Sequence, residues 1–107
     1  MAGQQAGDDA KTLAQQESDA AKAADGLAWE KLGEAYASYG QGNKAIAAYN
    51  QALQKGGLQH SDDAKLHLGI AELADGQKAR ARETLNGVAG SDGTKELAQL
   101  WLIQAGA

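Results

Sequence analysis

His60, Asp63 and His67 are the residues whose types and spacing come closest to chemistry. They lie three and four positions apart, so on a helix two imidazoles and a carboxylate would share a face within reach of one divalent metal. His60 falls before the expected helix start and no fourth ligand accompanies the set, so a solvated face is the ordinary reading and no metal is assigned. Asp8-Asp9 and Asp62-Asp63 are paired carboxylates, but each pair falls at an expected helix start, where attraction to the positive end of the helix dipole accounts for it. General acid-base work would require one carboxylate of a pair to be shielded from water, and nothing in the surrounding residues does this. Serine occurs only at 18, 38, 61 and 91, and there is no cysteine to act as a nucleophile. The stretch Gly40-Gln41-Gly42 lacks the lysine of a phosphate-cradling loop. No catalytic residue and no cofactor are assigned, and the chain is expected not to be an enzyme.

The elements that would position a site are helices. Alanine fills 24 of 107 positions, Leu, Ile and Val together only 16, and Phe none. Alanine, Gln, Glu, Lys and Leu are the strongest helix formers, so local propensity favours an all-α fold wherever glycine does not intervene. Scarce large side chains imply a thin core, since each alanine buries little apolar area. The 107 residues suit one domain. Without cysteine there is neither a disulfide framework nor a thiolate metal site. A net charge of -4 with interspersed signs excludes the clustered basic surface that tracks phosphates, so nucleic acid is not an expected partner. No apolar run approaches the roughly 18 residues of a membrane span, and no basic segment followed by an apolar one opens the chain. A soluble protein is expected, its compartment left open between the cytoplasm and, if the chain is a fragment of an exported bacterial protein, the periplasm.

Glycine punctuates the helical stretches. Residues 1–8 offer nothing to bury and read as a disordered tail, followed by an Ala-rich helix within 9–25 whose one large apolar residue is Leu13. Breaks at Asp25-Gly26, Gly40 to Asn43, Gly56-Gly57, Asp75-Gly76 and Gly90 to Gly93 delimit further helices at Leu27 to Tyr39, Lys44 to Lys55, Asp62 to Ala74 and Gln77 to Val88, and a last one following Thr94 and ending near Gln104. Ser61 or Asp62, and Thr94, are the expected amino-terminal caps.

Trp29, Leu32, Gly33, Tyr36, Gly40, Ala45, Tyr49 and Ala52 follow one another at spacings that give two facing helix stripes. Gly33 and Ala45 are small where the two helices should approach. Leu68, Gly69, Gly76, Ala81, Leu85 and Val88 restate the frame 36 positions later. In type and spacing this pattern resembles the tetratricopeptide repeat, and the wording continuing through Lys55 to Leu58 and closing with Leu97 to Ile103 resembles segments of bacterial repeat proteins. The resemblance covers residues 26 to 89. It departs from the family pattern at Gly57, where proline is usual, at Lys65 for Trp and at Glu72 for Tyr. It implies a right-handed superhelix of stacked antiparallel helical hairpins: a capping helix within 9–25, repeats at 26–59 and 60–89, and a closing helix within 93–105.

In this family the first helix of each hairpin lines a concave surface that receives a partner's peptide or helix. Carried over residue by residue, that surface comprises Leu27, Glu30, Glu34 and Ala37 from the first repeat and Asp63, Leu66, Ile70 and Leu73 from the second. The carboxylate clamp of some relatives is not carried over, because Glu30 and Glu34 stand where its Lys and Asn would be and His67 where a further Asn would be. A basic or apolar segment therefore suits the surface better than an acidic tail. Leu66, Ile70 and Leu73 form a stripe distinct from the one carrying Leu68, which either stays open as a groove or is covered by the closing helix. On that helix Leu97, Leu100 and Trp101 share a face, and Leu102 and Ile103 extend the apolar surface past what a cap needs. Core packing is the ordinary reading of that excess; homodimer formation through the closing helix, or a following repeat, is the alternative. A structural scaffold, even an engineered repeat given the absence of Pro and Phe, is the rival to a binding module.

Overall fold

The computed structural model describes residues 13–89, 93–104 and 106. Residues 13–22 are the described part of the first helix, α1. It is followed by α2 (Leu27–Ser38), α3 (Gly42–Lys55), α4 (Ser61–Ala74), α5 (Lys78–Asn86) and α6 (Thr94–Gln104). No strand occurs among the described residues, and the all-α class is as expected. The tail expected at 1–8 and the helix start expected at Asp9 lie outside the described residues.

The turns within the two helical hairpins are built alike. After α2 the Gly40 amide donates to the Ala37 carbonyl (3.0 Å) and the Gln41 amide to that of Tyr36 (2.9 Å). After α4 the Gly76 amide donates to Leu73 (3.1 Å) and the Gln77 amide to Glu72 (2.9 Å). Both are Schellman closures, in which the residue past the cap turns left-handed and the last carbonyls of the helix find donors. Gly40 (φ 73°) and Gly76 (φ 83°) occupy that position, where a side chain would strain the backbone. The two sets of bonds coincide after a shift of 36 residues.

Helix contacts follow the same offset. A methyl group added at Gly33 would stand 2.8–2.9 Å from the Tyr49 ring, and one at Gly69 would stand 2.6 Å from two Leu85 side-chain carbons. Each glycine thus lets a large side chain of the next helix lie against its own helix backbone. The expected close approach is present, but the group seated on each glycine is Tyr49 or Leu85 and not Ala45 or Ala81.

Two apolar clusters result. Leu13, Leu32, Tyr36, Ile46, Tyr49 and Leu68 form the larger with several alanines, and Trp29 and Leu53 pack on its edge. Leu66, Leu85, Val88 and Ala98 form the smaller, flanked by Ile70, Trp101 and Leu102. α4 supplies both, through Leu68 and Ala71 on one side and Leu66 and Ile70 on another, and it touches α2, α3, α5 and α6. α5 ends at Asn86, short of the expected Val88, because Gly87 favours leaving the helix and Val88 then turns its side chain into the smaller cluster.

Capping differs from expectation. Ser61 lies inside α4, and neither it nor Asp62 caps the helix, whose N-cap is His60 without a side-chain bond. The Asp62 carboxylate instead accepts the Ala89 amide (3.0 Å), and Asp63 accepts the Thr94 hydroxyl (3.1 Å). The two acids therefore tie both sides of the α5–α6 connection to the start of α4. At the other end, the Lys55 ammonium donates to the carbonyls of Ala20, Ala21 and Ala23 at 2.6–2.9 Å, supplying donors to the exposed end of α1.

Candidate binding surface

α2 and α4 lie close enough for their facing sides to form one surface. Toward their carboxyl ends is a groove of about 440 Å³, walled by Ala37 of α2, Tyr49 of α3 and His67, Ile70 and Ala74 of α4. Toward their amino ends is a second, of about 330 Å³, walled by Leu27, Glu30, Leu58, His60 and Asp63. Glu30 belongs to one groove and His67 to the other, yet ligating atoms of Glu30, Glu34 and His67 lie within 4.8 Å of one another. The cluster therefore stands where the grooves meet.

The surface is acidic: among the described residues, neither groove is lined by a lysine or an arginine. Burial raises the pKa of Glu30 above 4.5, the Glu34 and Asp63 charges add to the rise, and His67 and His60 oppose it. The Tyr49 hydroxyl is pushed up to about 12, first by burial and then by the Glu34 and Glu30 charges. Its ring stands 6.0 Å from that of His67, tilted by 32°.

No family model, curated protein or solved structure matches this chain. The functional reading accordingly rests on the residues of the surface themselves.

Of the eight residues expected there, Leu27, Glu30, Ala37, Asp63 and Ile70 line the grooves and Glu34 joins the cluster between them. Leu73 is half-buried and lines neither. Leu66 is a correction: it is 5% exposed and lies in the smaller apolar cluster with Ala98 of α6 and, at its edge, Trp101 and Leu102. α6 thus covers the Leu66 end of the stripe, and Ile70 is shared between cluster and groove. Asp63 is also partly committed, through its bond to Thr94.

His60 and Leu58 line the amino-terminal groove without having been assigned to the surface, and His67, placed by the repeat frame only where a clamp Asn would be, lines the other groove with the buried Tyr49 of the core. His67 stands one position beyond the 36-residue equivalent of Glu30, which is Leu66. A half-turn of helix separates the side facing α2 from the side facing α6, and the frame alone does not show which neighbour claims which side. The adjacency of the two candidate metal-type residues, Glu30 and His67, arises only when the hairpins stack.

Proposed function

We propose that this chain is a non-catalytic protein-interaction module of the tetratricopeptide type, whose α2–α4 surface receives a peptide or helix of a partner protein. The observation that carries the reading is the pair of adjoining grooves, walled by Leu27, Ala37, Leu58 and Ile70, bordered by Glu30, Glu34 and Asp63, and lined by no lysine or arginine among the described residues. Such a surface selects a segment that alternates apolar anchors with basic residues, because a carboxylate brought there would meet like charge. The 36-residue correspondence of turns and of glycine contacts supports a stacked repeat as the scaffold. No helix among the described residues is long and apolar enough to cross a membrane, in keeping with a partner met in water.

Selection of peptides from a random display library against the full chain tests this. Enriched sequences should carry Lys or Arg beside apolar residues, and Ala37→Arg, which places a cation and bulk at an exposed groove wall, should weaken their binding without lowering the melting temperature. Failure to enrich any sequence, or binding indifferent to Ala37→Arg, would overturn the proposal.

A second reading has an observation of its own. Leu97, Leu100 and Ile103 on α6 are 49%, 60% and 72% exposed and run along one side of the helix. That stripe supports a self-associating scaffold, compatible with the first reading because it lies on a different helix.

A further inference from the structure

Glu30 and Glu34 are one turn apart on α2, so their carboxylates share a face. α4 brings the His67 imidazole to the same place, and one oxygen or nitrogen from each of the three lies within 4.8 Å of the others. This set differs from His60, Asp63 and His67, which the linear spacing offers: two of its members come from one hairpin and the third from the next. We propose that Glu30, Glu34 and His67 form a binding site for a divalent cation of zinc's character, holding it through two carboxylate oxygens and one imidazole nitrogen.

The donor set suits that metal. Zinc takes carboxylate and imidazole ligands, and three protein ligands leave a fourth position for water or for a group brought by another molecule. Ligand atoms around a tetrahedral zinc at about 2.0–2.1 Å stand roughly 3.3 Å apart. Closing from 4.8 Å needs a shift of about 1 Å or less per group, within the reach of side chains that are exposed or only partly buried.

The charge pattern points the same way. Two carboxylates one turn apart repel, and among the described residues neither adjoining groove is lined by a lysine or an arginine that would neutralise them. His67 is not held by the fold through its polar atoms either, since its Nδ1 is enclosed without a hydrogen-bond partner, and a buried polar atom in that state calls for an explanation. A bound cation neutralises the carboxylates and engages the imidazole together.

The site stands independently of the peptide-binding reading. Chelator-treated full-length chain is titrated with zinc chloride by calorimetry and melted with and without the ion. One zinc per chain and a higher melting temperature are expected. Glu34→Gln and His67→Ala should each weaken binding roughly tenfold or more, while His60→Ala should leave it unchanged. Glu30→Gln guards against misfolding as an explanation. The amide keeps the size of the side chain and removes its charge, so without metal this variant should melt where the parent does, yet lose the zinc-induced shift. Absence of any heat or melting shift overturns the site, as does binding that survives Glu34→Gln and His67→Ala. Binding abolished by His60→Ala overturns it too, by moving the ion to the His60 and Asp63 end.

Discussion

Gly33 and Gly69 are the residues on which the packing of each hairpin turns. Both were legible as close-approach positions, because a glycine inside a helical pattern costs about 1 kcal/mol against alanine and needs a packing reason. What they touch was not legible. Helical side chains lean toward the amino terminus, so the Tyr49 ring and the Leu85 isobutyl group cover the turns that begin at Ala45 and Ala81 and reach the glycines first. Gly69→Ala should therefore destabilise the chain by about 1–2 kcal/mol: the overpacking cost of about 1–3 kcal/mol exceeds the gain in helix propensity, because Leu85 is fully buried and has nowhere to move. Urea unfolding of Gly69→Ala, Leu85→Ala and the double variant checks this, and the double should be less destabilised than the sum. Strict additivity would mean that the two positions do not press on each other. At Glu72, where the family pattern has an aromatic residue, the side chain is only 3% exposed and its carboxylate accepts the Thr84 hydroxyl. The substitution was visible in the sequence; the polar partner one helix away was not.

At the level of elements, glycine placement made the helices readable, and α6 ends where expected, although Thr94, the expected cap, is its first residue. Helix ends were less accessible, because their carbonyls and amides are satisfied from far along the chain. Lys55 reads as a favourable charge at the end of its own helix, whereas its ammonium serves α1, over thirty residues earlier. α1 contributes Leu13 as its large core residue, so these bonds form a substantial part of what holds it. Lys55→Met keeps the aliphatic stem and removes the donors; it should cost about 1–2 kcal/mol and raise hydrogen exchange of the α1 amides before those of α3. Unchanged exchange in α1 would show that Leu13 and its neighbours suffice. Asp62 and Asp63 repeat the lesson at the start of α4, since dipole attraction explained their position yet gave no hint that they bind Ala89 and Thr94.

For the molecule as a whole, what sequence could not settle was which apolar stripe meets which neighbour. α6 was expected to pack through Leu97, Leu100 and Trp101. Instead Ala98, Trp101 and Leu102 face inward, while Leu97, Leu100 and Ile103 remain outside. With leucines on nearly every side of α6, periodicity alone does not choose, and the shape of the α4–α5 surface decides. Sedimentation over a wide concentration range should show association that Leu100→Asp abolishes without loss of helicity. A monomer at all concentrations would remove the self-associating reading and leave the stripe as ordinary exposed surface.

One consequence follows from α4 lending side chains to both apolar clusters. Neither cluster can come apart completely while the other keeps its wall, so disruption starting at α1 or at α6 meets the same obstacle from opposite directions. The chain therefore loosens from its ends inward, and the middle of α4, around Leu68 and Ala71, is the last place to open. The cation site proposed above draws His67 from that same stretch, so its imidazole is carried by the slowest-moving segment while its two carboxylates ride on a helix nearer the margin.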